Sequence, residues 1–493
     1  MDYLDYGKEV RQQILLWLGY FLVAIAIVIA SLILVYQAYG FNLGKNNTVI
    51  QNGLVFLSSH PNPANIYFND IKRSQQTDAR LIMPSGVYKL MLSRDGYRSW
   101  SRTVVVNGGT VAHFDYPLLI PNKLVPTKVT NYSSLPQFIT QSPDRRWILI
   151  EKPGSILDFD LYDLKNPAKP TISNLTLPTN LLNKSISSSS FKLISWADDN
   201  QHILIEHTFD ENKEFILLNR ADPSQSLNLS TTLNISSNDV NLNNKKFDSY
   251  YSLDETTGNL RLYKLNNQSN QIIASHVLAY KTYGSSSVLY ATPDPSNKKL
   301  VEVKLISRGT NYPIKTLPLS NAYLLDLTSY SGILNVAVGS NNSNKIYIFA
   351  DPVGQLARFP HQALIPLWVL HVNQVNYISF SNNAQFILAE NANYMAVYDF
   401  ENNLGYTYNT VLASLDNPQT NVNWMDGDRI VYVSLGKINI FDYDHHNIQS
   451  LVPSVANYQP YFSSSYKYMF NLTPNSTGQF NLEQTPLLTP PDL

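Results

Sequence analysis

Residues 14–36 are apolar almost without interruption, and no Asp, Glu, Lys or Arg occurs from Gln12 through Gly44. A helix over 14–36, rising about 1.5 Å per residue, spans roughly 35 Å and can cross a hydrocarbon core of about 30 Å. Trp17, Tyr20 and Phe21 at one end, with Tyr36, Tyr39 and Phe41 at the other, suit the two membrane interfaces. The pattern predicts a transmembrane helix over 13–37. A buried core helix is rarely this long and this uniformly apolar. A cleaved signal peptide has a cleavage-like Ala38-Tyr39-Gly40 in its favour, but its apolar region runs to only about 7–15 residues. Lys8 and Arg11 precede the helix, and only Lys45 follows it closely. The positive-inside rule therefore places 1–12 in the cytoplasm and the bulk of the chain outside, with Asp2, Asp5 and Glu9 weighing little.

Beyond a linker at 38–48 the period changes from helical to alternating. The runs 54–58, 65–68, 87–93, 101–106 and 110–116 read as strands. They are separated by His60-Pro61-Asn62-Pro63, Pro84-Ser85-Gly86, Asp95-Gly96 and Asn107-Gly108-Gly109, all turn sequences. Five short strands within 49–118 predict a small sandwich or open barrel. From 119 to 488 one unit recurs: a β run, a small-polar turn, then two or three further β runs. Its clearest copies are Phe138-Ile-Thr-Gln-Ser-Pro-Asp144, Leu193-Ile-Ser-Trp-Ala-Asp198, Tyr377-Ile-Ser-Phe-Ser-Asn382 and Val422-Asn-Trp-Met-Asp426.

Fainter copies centre near Asn244, Ser285, Ser331 and Ser465, so the turns at 144, 198, 244, 285, 331, 382, 426 and 465 recur every 46 residues or so, about one four-stranded propeller blade. The predicted fold is all-β apart from the N-terminal helix, with seven or eight blades, eight by this spacing, and a short tail at 489–493. A lone run at 124–130 precedes the first unit and the last unit ends early, so that run is expected to complete the last blade.

Two resemblances follow. The segment 52–118 resembles the PEGA domain of prokaryotic envelope and surface proteins. It does so through Pro61-Asn62-Pro63-Ala64 with Ile66-Tyr67, then Pro84-Ser85-Gly86-Val87-Tyr88, Asp95-Gly96-Tyr97 and Val104-Val-Val106-Asn107-Gly108. Asn62 and Pro63 replace the middle pair of the family's Pro-Glu-Gly-Ala. The resemblance implies a spacer or interaction module outside the membrane and brings no catalytic residues. The Ser142-Pro143-Asp144 turn and its relatives resemble the repeats of TolB-like and tryptophan-aspartate-repeat propellers; lectin- and quinoprotein-type propellers stay open as alternatives. Together they imply a single-pass, membrane-anchored prokaryotic envelope protein.

Composition narrows the chemistry. With 36 Lys+Arg against 37 Asp+Glu in 493 residues, the net charge of -1 offers nucleic acid no global attraction. The 44% hydrophobic content excludes a disordered chain, and the absence of Cys removes disulfides, thiolate metal sites and Cys nucleophiles. Only 20 Gly are present. Asn tolerates positive φ next best, so the pairs Asn243-Asn244, Asn266-Asn267, Asn341-Asn342, Asn382-Asn383 and Asn402-Asn403 are expected at hairpin tips; a plain bias towards Asn would give the same pairs.

Candidate sites are few. Asp158-Phe-Asp160-Leu-Tyr-Asp163 lacks the Gly and distant Glu of a calcium loop and reads as a strand with a polar outer face. Asp442-Tyr-Asp444-His445-His446 reads as a solvated turn, and His202 and His207 flank Glu206 without a metal-ligand spacing. The sequence has no nucleophile elbow, zinc-protease, Walker or dinucleotide motif, leaving only a dispersed Ser/His/Asp arrangement open. Sequons such as Asn46, Asn131 and Asn174 arise by chance in an Asn- and Ser-rich chain. Tyr250-Tyr251, Tyr461-Phe462 and Tyr466-Lys-Tyr468 could line a carbohydrate or peptide face, although Tyr is also a common strand residue.

No catalytic, cofactor or metal residue is assigned. The expected function is an extracytoplasmic binding or scaffold protein, anchored in the bilayer through 14–36, with an envelope protein or glycan as partner. The alternative is a propeller hydrolase or lyase acting on envelope polysaccharide or peptide. A sensor signalling through the helix would need a separate cytosolic partner.

Overall fold

A computed structural model describes residues 6–38, 40–43, 49–183, 189–235, 239–360, 362–391, 394–409 and 421–489. Lys45 and Asn46, the terminal residues 1–5 and 490–493, and most of the 38–48 linker lie outside the described residues. The chain divides into two compact units, Met1–Asn122 and Lys123–Leu493.

The first unit opens with an α-helix over Tyr6–Ala38. Its candidate membrane span, Val10–Ala38, has none of its residues buried within the protein. Trp17, Phe21 and Leu34 stand fully outward. At about 1.5 Å per residue those 29 residues extend about 44 Å, more than a hydrocarbon core, so in a bilayer the helix would tilt or run into the headgroups.

The rest of this unit is a two-sheet sandwich. Among the described residues, one sheet joins Phe41–Leu43, Val49–Leu57 and Ala79–Pro84, with Val111–Phe114 parallel to Val49–Leu57. The other runs Ile71–Gln76, Asn65–Phe68, Gly86–Ser93 and Trp100–Val106 in that order. Alternating side chains from both inner faces, including Val55, Phe68, Leu90, Leu92 and Trp100, fill the core. Three strands were not foreseen from sequence: Phe41–Leu43, which falls in the expected linker, Ile71–Gln76 and Ala79–Pro84. Ile71–Gln76 is an edge strand exposed at every position, so it shows no alternation of apolar residues. At Gly53 a Cβ would meet the Asn107 carbonyl oxygen at 2.4 Å, so only glycine lets the two strands approach.

The second unit is a β-propeller. Among the described residues it holds eight four-stranded antiparallel sheets, and in seven the strands follow chain order from first to fourth. Blades 1 to 8 begin at Ile139, Ser189, Asp239, Ala279, Tyr323, Tyr377, Asn423 and Tyr461. Each of the eight repeated turn positions, 144 to 465, lies between the first and second strand of its sheet. The first strands of blades 4, 5 and 6 approach one another and so line the axis.

Packing explains the sequence pattern. A blade is covered by neighbours on both faces, so its second strand buries consecutive side chains: Ile148-Leu149-Ile150, Ile203-Leu204-Ile205, Val336-Ala337-Val338 and Ile387-Leu388-Ala389. The outermost strand is half-solvated, as in Thr171–Thr176, where only Leu175 is buried. Around the ring, Phe159 lies 5.8 Å from Phe191 between ring centres, and Leu217 shares a core with Val240, Tyr251 with Val288, Val303 with Val336, and Ile346 with Ala389. Phe386 then stacks on Tyr443 at 4.1 Å, Asn471 Nδ2 donates to the Pro453 carbonyl, and Leu472 shares a core with Ile150.

The repeated turn has one design in blades 1, 6 and 8. Ser142, Ser381 and Ser463 each accept, on Oγ, the backbone N–H five residues on, at 2.9, 3.0 and 3.1 Å. The residue three positions after each serine, Arg145, Ala384 or Tyr466, has positive φ. Blade 2 keeps the backbone turn with Ala197 in the serine position and Asn200 at positive φ. The turns also bond across blades: the Trp196 indole donates to Thr140 Oγ1 (2.7 Å), the Trp424 indole to Ser379 Oγ (3.1 Å) and the Arg145 guanidinium to the Met425 carbonyl (2.8 Å).

The expectation for asparagine holds at Asn244 and Asn403, both at positive φ. The other three pairs also lie between consecutive strands, but the positive φ there falls on Gln268 and Ala384, just beyond Asn267 and Asn383, and on neither Asn341 nor Asn342.

The last sheet is completed by Thr127–Tyr132, whose residues pair with 480–484 of Phe480–Pro486. This closing strand starts three residues later than the run 124–130. Because the native chain has no Cys, Asn131→Cys with Asn481→Cys, which occupy paired positions, should form a single disulfide across the closure. The expected gain is about 2–4 kcal/mol, seen as a rise of several degrees in melting temperature that dithiothreitol reverses. Failure of the oxidised protein to melt higher than the reduced one would contradict closure through this strand.

Candidate functional site

The side chains singled out in the sequence are dispersed among separate partners. Asp158 accepts from Thr176 and Ser155, Asp160 from Tyr132, and Asp163 from Arg146. These three carboxylates share no common ligand point; they bind strand to strand. Asp442 and Asp444 are buried, which corrects the solvated-turn expectation. Asp442 holds Asn447 at 2.8 Å and lies 3.6 Å from the buried Arg429, while Asp444 pairs with His446. A turn so close to the blade core draws its charges inward because the buried guanidinium needs counter-charge. Tyr250, Tyr251 and Phe462 are core residues, Tyr461 donates to the Ile139 carbonyl, and Tyr466 lies under Arg145, 4.2 Å from ring centre to guanidinium. None of these aromatics is free to form a binding face. Asn131 is bonded to Gln479, and Asn174 lies on the outer strand of blade 1.

One arrangement was invisible in the sequence. Ser189, His207 and Glu214 sit on successive strands of blade 2. Ser189 Oγ lies 2.5 Å from His207 Nε2, and His207 Nδ1 lies 2.7 Å from Glu214 Oε1. The connectivity matches a serine nucleophile relay. Access does not: His207 is wholly buried, with its ring packed between Phe191 and Phe209. Glu214 also accepts Asn183 N at 2.9 Å and Asn228 Nδ2 at 2.7 Å. Burial opposes its charge, but the bonds from His207, Asn183 and Asn228 outweigh it and hold the carboxyl below its ordinary value. The network therefore secures the segment joining blade 1 to blade 2.

Near the axis, carboxylates are desolvated. Asp326 is raised by burial despite Lys281 at 3.8 Å and the Phe380 N–H at 3.2 Å. Burial pushes Glu390 up to about 8, against one bond from the Val422 N–H, and Glu151 up to about 7. Glu151 and Glu390 occupy the same place in blades 1 and 6, nine residues after the turn serine, and Glu151 Oε2 has no hydrogen-bond partner.

The open site is a cleft of about 320 Å³ where blades 5 and 6 meet, lined by Asn344, Lys345, His371, Val372, Asn373 and Tyr394. Lys345 and His371 are paired strand positions, and the Asn391 side chain ties Tyr394 N and the Asn373 carbonyl together. Amides, an ammonium and an imidazole around a half-exposed tyrosine ring suit a hydroxyl-rich ligand that stacks one face on Tyr394.

Residues 52–120 match the PEGA domain. No curated protein matches the chain. Among solved structures, an oligogalacturonate lyase in complex with manganese is 9% identical, covering 74% of this chain and 98% of its own at a TM-score of 0.37. The dihydro-heme d1 dehydrogenase NirN in complex with DHE is 12% identical, with coverage of 67% and 68% and a TM-score of 0.39. KlHsv2 with loop 6CD replaced by a Gly-Ser linker is 10% identical, with coverage of 73% and 100% and a TM-score of 0.37. Likenesses this slight assign no activity.

The two buried glutamates set a pH dependence. In the folded state they keep a proton that the unfolded chain, with an ordinary value of 4.5, has already released. The folded form then binds more protons, so stability falls as pH rises from about 4.5 through about 8. Melting temperature should drop between pH 6 and 8.5 in the native protein and stay flatter in Glu151→Gln/Glu390→Gln; equal slopes would place the titration elsewhere.

Proposed function

We propose that this protein is a single-pass, membrane-anchored scaffold of the cell envelope whose propeller presents a binding surface outside the membrane, with a glycan as its principal partner. The observation that carries this is the helix Tyr6–Ala38, long and apolar enough to cross a bilayer and with no residue of its span covered by protein. The PEGA match that follows is to an extracytoplasmic type of module. The buried polar clusters support a binding role over catalysis: His207 and Glu214 are engaged in tying the strands of blade 2 together, and Arg429 and Asp442 those of blade 7. The Tyr394 cleft supplies the ring and amide groups that sugars use.

Topology is testable on the Cys-free background. In intact cells a membrane-impermeant maleimide should label Leu435→Cys, while Asp5→Cys should react only after permeabilisation. The reverse pattern would overturn the orientation. Native protein should bind envelope polysaccharide on a glycan array, and Tyr394→Ala should weaken it about tenfold, the scale of one lost aromatic stack. Undiminished binding by Tyr394→Ala would move the partner away from this cleft.

A further inference from the structure

Blade 5 differs from its neighbours in one connection. Its third and fourth strands, Lys345–Ala350 and Trp368–His371, are joined by residues 351–367, whereas 308–309 suffice in blade 4 and 400–403 in blade 6. The insertion begins with the helix Pro352–Arg358, capped by Asp351. It is pinned from within: Pro352 is buried, Val353 and Leu364 pack on the core shared by blades 4 and 5, and Gln355 donates to the Ala350 carbonyl at 2.8 Å. On this firm base most outward side chains are apolar, Arg358 and Gln362 being the polar ones. Phe359 is 56% exposed and Ile365 72%, with Leu367, Trp368 and the neighbouring Leu404 of blade 6 also exposed. No Asp or Glu occurs from Pro352 to Ala389, and Asp351 at the base is paired with Arg358 at 3.2 Å.

We propose that this insertion is a second membrane contact, its tip seated in the headgroup region of a lipid bilayer. An exposed apolar patch on a rigid support marks an interface. The composition identifies the partner: Phe, Trp and branched aliphatics beside an arginine, with no acidic residue in the insertion beyond its base, suit the lipid–water boundary, and the neighbouring exposed carboxylate, Glu401 of blade 6, is bonded to Tyr330. A small apolar insertion binds lipid only weakly by itself, but a chain already tethered to the bilayer makes the second contact intramolecular. The inference thus rests on Val10–Ala38 being a bilayer anchor. Geometry also gives it a consequence. Connections between third and fourth strands lie at the opposite end of the sheets from those between second and third strands, where Asn344 of the cleft sits. Seating the insertion in lipid turns the cleft towards the outside.

The test uses full-length protein in proteoliposomes, with single cysteines Phe359→Cys, Ile365→Cys or Leu435→Cys carrying an environment-sensitive fluorophore. Leu435, 73% exposed between the second and third strands of blade 7, is the control on the far face. Headgroup-region nitroxide lipids should quench the probes at 359 and 365 about twofold or more over that at 435. Carbonate extraction of the same vesicles reports the anchor separately. Quenching at 359 and 365 no greater than at 435 overturns the inference, whether or not the protein resists extraction; blue-shifted but unquenched probes mean a protein partner and overturn it too. Protein released by carbonate instead refutes the anchor.

Discussion

Everything in the propeller depends on one pairing, between Thr127–Tyr132 and the strand Phe480–Pro486. A blade has no face of its own to turn to water: its central strands are apolar on both sides and tolerable only between two neighbours. An open row of such sheets would leave two such faces bare. Joining the ends of a segment of some 350 residues costs loop entropy that grows only logarithmically with length. Burying the terminal faces, where Phe470 and Leu482 meet Ile148 and Tyr162, outweighs it. The buried hydroxyl pair Tyr132 and Tyr162, 2.6 Å apart, lies at the same seam.

The bonds between successive turns refine this closure. Hydrophobic contact between sheets is non-directional and would allow neighbouring blades to slide. Indole donors at Trp196 and Trp424 fix the register of blade 2 on blade 1 and of blade 7 on blade 6, while Arg145 reaches past blade 8 from blade 1 to blade 7. The buried polar cluster at His207 does the same for the connection between blades 1 and 2. Such groups are costly to bury unpaired and specific once paired, so they set geometry more than they add stability.

Much of the architecture was legible in the residues. Uninterrupted apolar length marked the helix, and the serine-containing turns marked the blades, because Ser142, Ser381 and Ser463 perform one hydrogen-bonding task. What escaped did so for physical reasons. Ile71–Gln76 is an exposed edge strand and carries no alternation. The positive-φ turn positions went to Arg145, Ala384 and Tyr466, residues with no preference for that conformation, which the surrounding turn imposes on them. The cleft and the Ser189–His207–Glu214 cluster join residues far apart in the chain or unremarkable within it, and only the strand register brings them together.

The closing strand is also the point where the chain enters the ring, directly after Lys123. Tension on the chain N-terminal to it therefore reaches the propeller through the seam that holds it shut. Pulled along its own axis, the ladder of Thr127–Tyr132 on Phe480–Pro486 is loaded in shear, all rungs together, instead of unzipping one at a time. The seam that closes the ring also serves as a mechanical clasp, strongest along its own strand axis.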